Sequence, residues 1–522
     1  MTETMLIAAL LLVSMSPGAA AGQEQAGLTG PQRDAVRSAR TARIIVTQQF
    51  DADSVRLPFD EPVRTLLEHA GLTIVDRGDA GLVVRIEATG QAIGTRYYVQ
   101  WSGASRVVYN GARLSGRLSF ETADVPPFVA PFNGAVEPPS SILVVEGSSA
   151  SAPTDSPFGT AYLADGSFLP VLLSAAAATY GPGPLTEALL DIDGFFGVMR
   201  RSQGDLYGSG GTSEAIPRLR LLEALGRTND SSTTRRFVAV LAERSHPERL
   251  AGIRYQHYLD TPTALTYAVR ESPSAAVRAE AASVLRKYSA AQALGRIRDT
   301  SSVPNLIGAL QGEHVMVSEA AVVALGALAD RRAVSPLAAL LRRSRPSPLR
   351  VAAAEALGRI GDSEAVPALA ETVRERAGPV SYAALGALGH LQGVDALLPF
   401  LADSEFGSFV AGELGDLHDR RAITPLSDAL RSHRLPAAAF ALARLEAFDV
   451  LVPLLADSFP LALDVSHAMG LTKAPRVTEL LMALLERGGA VPPLVFQTLR
   501  SVTGQSLRND PQAWLDWWTR SR

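Results

Sequence analysis

The sequence predicts an α+β N-terminal domain followed by an all-α solenoid of short helical hairpins. Three observations predict it. A sentence of residues recurs: "ALGALADRRAVSPLAALL" from Ala324, "ALGRIGDSEAVPALAETV" from Ala356 and "ELGDLHDRRAITPLSDAL" from Glu413. Before about Gly210 nothing repeats, and apolar residues alternate in short β-branched runs. At 522 residues the chain is also too long for one compact core.

The N-terminus reads as an export leader over residues 1–21. "MLIAALLLVSM" (Met5 to Met15) is an apolar run of signal-peptide length, and "SPGAAAGQEQ" supplies a breaker and small residues for cleavage. The run is too short for a membrane span, and no later segment has eighteen uninterrupted apolar residues. The expectation is an exported protein, periplasmic or secreted, with no membrane span in the mature chain. There is no cysteine, which removes thiolate nucleophiles, thiolate zinc sites and disulfides. Net charge is −4, and the arginines are balanced by acids along the chain, so no basic stripe suits nucleic acid. Lys287 and Lys473 are the only lysines.

The front domain is expected over residues 38–203. "ARIIVTQQF" (Ala42 to Phe50) is strand-like, and "EPVRTLLEHAG" is a helix with Val63, Leu66 and Leu67 on one face and Gly71 as its stop. "LTIVD" and "GLVVRIEATG" follow as strands. In the second, Leu82, Val84, Ile86 and Ala88 alternate with Val83, Arg85 and Glu87, the period of a half-buried strand. "TRYYVQW" and "ARLSGRLSFET" continue it, with Leu114, Leu118 and Phe120 on one face. Residues 124–157 are rich in Pro, Ser, Gly and Ala and are expected to be a long irregular loop. Two helices follow, from "SFLPVLLSAAAATYG" and "PLTEALLDIDGFFGVMRRSQG". The glycine-rich stretch at 204–214 is the expected hinge.

Repeats are expected over 215–504. Aligned on the glycine of "LG", they fall at Gly226, Gly295, Gly326, Gly358, Gly389, Gly415 and Gly470, with Ala443 in one slot. Most intervals are 26 to 32 residues. Four residues on comes an aspartate in five copies: Asp230, Asp299, Asp330, Asp362 and Asp419. Helices before the glycine carry Ala320, Ala321 and Ala324, which let neighbours approach closely. The aspartate suits a helix N-cap. Val334, Leu337 and Leu341 form one stripe on the next helix. Helices this short bury a core only by stacking. The pattern "ALGxxxDxxAVxPL" resembles HEAT repeats, in particular the short bacterial kind similar to those of phycobilisome lyases. The resemblance implies a superhelical scaffold. It reaches the repeats only, while the leader and front domain count against a lyase. Residues 505–522, "QSLRNDPQAWLDWWTRSR", read as a tryptophan-rich capping helix, with Trp514, Trp517 and Trp518 at i, i+3 and i+4.

No catalytic signature is present. There is no HExxH, GxSxG or GxxxxGK[ST], and no two histidines are spaced as metal ligands on one helix. "GSGG" at Gly208 to Gly211 reads as hinge, and "DIDG" at Asp191 to Gly194 as a helix-to-turn transition that lacks the later ligands of a calcium loop. The expectation is therefore a scaffold or adaptor that is not an enzyme, takes no cofactor and no metal, and binds protein partners of the cell envelope. Candidate contact residues are Arg331, Arg332, Arg420 and Arg421: the recurring "DRR" reads either as a solvated turn between helices with Asp–Arg pairing between adjacent repeats, or as a ridge of arginines along one edge for carboxylate-bearing ligands. Phe128, Phe132 and Trp518 are the other candidates. The alternatives are a cell-envelope binder of glycan or lipid on exposed aromatics, and a lyase- or maturation-type enzyme.

Overall fold

The computed structural model describes residues 27–51, 57–93, 97–101, 104–108, 111–137, 157–192, 194–196, 215–246, 250, 265, 268–269, 272–312, 314–342, 347–432 and 435–521. The leader, the 204–214 hinge with its "GSGG", and residues 138–156 of the expected loop lie outside them. The chain divides into two compact units, residues 1–233 and 234–522.

In the first unit, α1 (Gly30–Ser38) opens on a capping box, with Thr29 and Gln32 satisfying each other's backbone N–H groups. The β-branched runs become β1 (Thr41–Phe50), β2 (Thr73–Ile74) and β3 (Leu82–Ile93), with α2 (Asp60–His69) between the first two. β4 (Tyr97–Trp101) and β5 (Ala104–Val108) form a separate hairpin, followed by β6 (Gly111–Glu121) and β7 (Phe128–Val136). The sheet order is β2-β1-β3-β6-β7. β1 runs parallel to β2 and β3, and the β3–β6–β7 pairings are antiparallel. Leu82, Val84, Ile86 and Ala88 are buried, as are Leu114, Leu118 and Phe120. Arg85 and Glu87 point the other way and pair with Glu121 and Arg117 across the register.

The loop expected at 124–157 is corrected in its first half. Phe128, Ala130, Phe132 and Gly134 alternate inward, and Phe128–Val136 pairs in register with β6. Composition hid this strand because Pro131 sits on an edge strand, where proline is tolerated. Phe132 packs against Phe59 and Phe168, with ring centroids 6.1 and 5.4 Å away. Three helices follow: α3 (Pro157–Leu163), which sequence reading missed, α4 (Phe168–Tyr180) and α5 (Gly183–Leu190). Phe158–Tyr180 is apolar and long enough to cross a membrane by composition, but 67% of its most apolar window is buried inside the protein. It serves as core. The helix carrying Gly226, α6 (Ala215–Thr228), belongs to the first unit and packs on α4 and α5. Its Arg220 donates to the Leu163 carbonyl at 3.0 Å.

"DIDG" ends α5. Asp191 Oδ1 accepts the Gly194 N–H at 2.7 Å, and Oδ2 lies 3.2 Å from His69 Nε2 at the end of α2. These contacts hold the Asp191 carboxyl below the usual carboxylate range, the His69 hydrogen bond contributing most. A depressed native pKa adds stability that is present above the unfolded value, near 3.9, and lost as pH falls through the native one. Asp191→Asn is therefore expected to destabilise the first unit by about 1–2 kcal/mol at neutral pH. It also flattens the acid limb of the melting curve below about pH 4. Calorimetry across that range checks both.

In the second unit the periodic segments become helical hairpins. α7 (Thr234–Leu241), α8 (Ala275–Ile297), α9 (Val303–Ala309), α10 (Val315–Leu328), α11 (Val334–Leu341), α12 (Ser347–Ile360) and α13 (Val366–Arg374) lead to α14 (Pro379–Gln392) and α15 (Val394–Leu397). α16 (Gly407–Asp416), α17 (Ile423–Ser432), α18 (Pro436–Arg444) and α19 (Phe448–Leu451) precede α20 (Phe459–Thr472). The unit closes with α21 (Pro475–Glu486), α22 (Pro493–Thr503) and α23 (Pro511–Ser521).

The aspartate caps a single 3-10 turn that leads into the next helix. Asp330 Oδ1 accepts the Arg332 N–H, and Asp362 and Asp419 accept those of Glu364 and Arg421, all at 2.9 Å. One residue before this slot, which Ala447 and Ala474 fill in two copies, the chain turns left-handed: φ is +60° at Arg298, +51° at Ala329, +53° at His418, +54° at Glu446 and +49° at Lys473. Sequence reading missed this column because residues of several types fill it, although one copy has Gly361. A β-carbon in that region is strained. Ala329→Gly is expected to stabilise the unit by about 0.5–1 kcal/mol, read by urea denaturation.

The glycine column has a tertiary partner. A β-carbon on Gly295 would lie 2.8 Å from Ala324 Cα. On Gly326, Gly358 and Gly415 it would lie 3.0, 3.0 and 2.9 Å from the Cα atoms of Ala356, Ala387 and Ala441. Each alanine sits two residues before the next repeat's glycine slot. At Gly389 the facing slot holds Glu413 instead, and the nearest atoms are 3.5 Å away. Burial, helped by the Asp416 charge, pushes the Glu413 carboxyl up.

A second slot, eight residues before the glycine, closes the preceding helix. Ser318 donates to the Ala309 carbonyl and Ser381 to that of Thr372, both at 3.1 Å. Lys287 fills the same slot and donates to the Glu243 carbonyl just beyond α7.

Candidate functional site

The predicted arginine ridge lies on the turns that join the hairpins, and most of its charge is paired. Arg332 forks onto Asp330 at 2.9 and 2.6 Å, holding that carboxyl below its ordinary range. It also donates to the Thr300 carbonyl of the preceding repeat at 2.8 Å. Arg331 reaches forward to Asp362 and Glu364, at 4.0 and 3.8 Å. Arg421 holds Asp419 at 2.7 Å and reaches back to Asp395 at 3.0 Å. Arg376, between repeats, pairs with Asp403 and Glu405 and lies over the Phe406 ring at 5.5 Å. Arg444 binds Asp416 at 2.8 Å and the Gly412 carbonyl at 3.0 Å.

The edge is thus a ladder of alternating charge rather than a cationic ridge. Exposed pairs of this kind add about 0–1 kcal/mol each. Their geometry fixes how one repeat sits on the next. Arg420 is exposed and forms no ion pair among the described residues.

The aromatic candidates divide. Phe128 and Phe132 are corrected: both are buried, Phe128 stacked on Phe120 at 6.0 Å and Phe132 in the aromatic core. Neither is available to a ligand, because the strand that carries them turns Phe128, Ala130, Phe132 and Gly134 inward. Trp518 is half-buried on α23, tilted against Trp517 at 6.2 Å. Trp514 is fully buried, donates its indole N–H to the Arg508 carbonyl at 3.1 Å, and meets Trp517 edge-on at 5.8 Å. α23 packs on α21 and seals the last hairpin.

Sequence reading missed an exposed apolar row. On α20, Phe459 is 69% exposed, Leu463 38% and Leu471 63%. With exposed His467, whose ring meets Phe440 at 5.6 Å, these residues fall every fourth position along one face. On α10, Val323 is 45% exposed in the slot that His467 fills, three residues before the repeat glycine. The signal was in the sequence. "FPLALDVSHAMGLT" is apolar on both faces, more than a helix with one buried side requires.

Residues 262–357 and 335–405 match the family of HEAT repeats. These hairpins are HEAT repeats. Two curated relatives match over 60 residues. One is the bilin biosynthesis protein PecE of Mastigocladus laminosus, 45% identical, and the other its namesake from a Nostoc strain, 43% identical. The match covers 11% of this chain and only 22% and 24% of those relatives. A solved complex of CpcE and CpcF of phycocyanin lyase from Nostoc is 18% identical, covers 56% of this chain and 90% of its own, and has a TM-score of 0.25.

These relatives correct the expectation that the chain is not an enzyme. That expectation rested on missing motifs, yet a 60-residue stretch of the chain is 45% and 43% identical to proteins named for a biosynthetic role. Absence of a short catalytic signature is therefore no argument against a catalytic role for such repeats. HEAT arrays present extended protein-binding surfaces, and the second unit is a protein-interaction architecture.

Proposed function

We propose that the protein is an exported scaffold or adaptor whose HEAT unit docks a protein partner of the cell envelope on the exposed row of α20. The observation that supports it is the uncovered apolar face of Phe459, Leu463 and Leu471, since contiguous exposed apolar surface marks interaction sites. The turns that join earlier hairpins carry alternating charges that would select a partner by complementarity. Export rests on the leader-like N-terminus.

The test is crosslinking and co-purification of the full chain from its native cells. It is paired with a variant carrying serine at Phe459, Leu463 and Leu471. These are surface positions, so folding should change little. Capture of a defined envelope protein should fall at least about tenfold, equivalent to 1.4 kcal/mol. Undiminished capture by the variant would remove the docking row from the reading. Recovery of the protein in the cytoplasm alone would remove export.

A second reading is favoured by the 45% identity over 60 residues to a bilin biosynthesis protein: a maturation-type enzyme that acts on a bound protein. Adding a bilin to the full chain should then shift the pigment's visible absorption. An unshifted spectrum across a titration would end it.

A further inference from the structure

The first HEAT hairpins of the second unit carry a chemical cluster that the scaffold does not need. Lys287 is one of two lysines in the chain, and it is 5% exposed. Serine performs the same capping of the preceding helix in two later repeats. Here the longer amine reaches Ser245 Oγ at 2.6 Å and borders a cavity of about 510 Å³. Asn305, Gly308 and His314 line the cavity with it, among apolar residues such as Leu241 and Val317. Glu280, 3% exposed, accepts the His246 N–H at 2.8 Å and stands 3.7 Å from His314 Nε2.

We propose that this cavity is a carbonyl-binding site in which the Lys287 amine forms an imine with a small, partly apolar aldehyde or ketone. Three features meet there: an amine at the wall of a cavity, an imidazole in its lining with a carboxylate 3.7 Å from Nε2, and an apolar lining for the substrate's body. Burial also holds the Lys287 ammonium below the ordinary lysine value, against the opposing charges of Glu280 and Glu243, which enlarges the fraction of free amine. The nitrogen lone pair adds to the carbonyl carbon, forming the C–N bond as the carbonyl pair moves to oxygen. One proton passes from nitrogen to that oxygen, giving a carbinolamine. The hydroxyl leaves as water on gaining a proton through His314, and the remaining N–H proton is returned to the imidazole, leaving the imine. This proposal does not depend on the docking row of α20.

The experiment is reductive trapping on the folded full chain with benzaldehyde and cyanoborohydride, adducts being located by peptide mass spectrometry. Lys473, exposed at the end of α20, is the internal control. Lys287 is expected to be labelled at least about fivefold faster than Lys473, despite its burial. Gly308→Phe fills open space at the cavity, since nothing lies within 4 Å of a β-carbon there. It should slow labelling of Lys287 at least about fivefold and leave Lys473 unchanged. Lys287→Arg keeps a cationic cap and should remove the adduct at that position. Labelling of Lys473 as fast as Lys287, or an unchanged Lys287 rate in Gly308→Phe, overturns the proposal. Both outcomes are readable even if Lys287→Arg fails to fold.

Discussion

Gly295→Val will destabilise the HEAT unit by about 3 kcal/mol, the upper range of overpacking in a close-fitted core. Even the first carbon of the new side chain would sit 2.8 Å from Ala324 Cα, and backbone cannot rotate aside as a side chain can. The two helices must separate, and their separation loosens the alanine-lined contact that the repeat was built around. A control distinguishes packing from propensity. Gly386 lies inside a helix with nothing within 4 Å of its β-carbon position, so Gly386→Ala should gain up to about 1 kcal/mol. Urea denaturation of the two variants beside the parent chain gives opposite signs if the contact explains the glycine. Destabilisation of both would mean that the rung contact is not what retains glycine at Gly295.

Trp514→Ala is expected to cost about 3–5 kcal/mol, the range for emptying a large buried aromatic site. Trp514 is completely buried, and its removal also leaves the Arg508 carbonyl without its indole donor. In a repeat array the loss is local, because each repeat contacts chiefly its neighbours. Amide exchange should therefore quicken over α21 and α22 and remain nearly unchanged in α10 and α12. Uniform acceleration along the whole unit would contradict a capping role. Trp518, half-buried and further along the same helix, should cost well under half as much when replaced by alanine.

Particular residues show how far sequence reading reached. The aspartates at 299, 330, 362 and 419 were legible as caps, since the side chain and the N–H it accepts are two residues apart. The inward set Leu82, Val84, Ile86 and Ala88 was legible because alternation is a property of one strand. Phe128 and Phe132 were not. Their role depends on pairing with β6, and on Phe59 more than seventy residues away in sequence. Arg331, Arg332 and Arg421 were legible as turn residues that could pair with acids of adjacent repeats or stand as a ridge, and the structure decides between the two, with partners in neighbouring repeats as well as their own. A list of arginines shows charge. It does not show that the acids facing them have already cancelled it.

The sequence by itself determined that this protein is an α+β unit followed by stacked HEAT hairpins. Helical period, cap chemistry and strand alternation act over a few residues, so they are written wherever those residues stand. Only the tertiary structure decided which glycines are indispensable, which arginines are spent, which apolar residues stay uncovered, and that Lys287 borders a cavity. Each of these depends on the distance between side chains about thirty or more residues apart, or on the space they leave, and that is settled when the repeats pack.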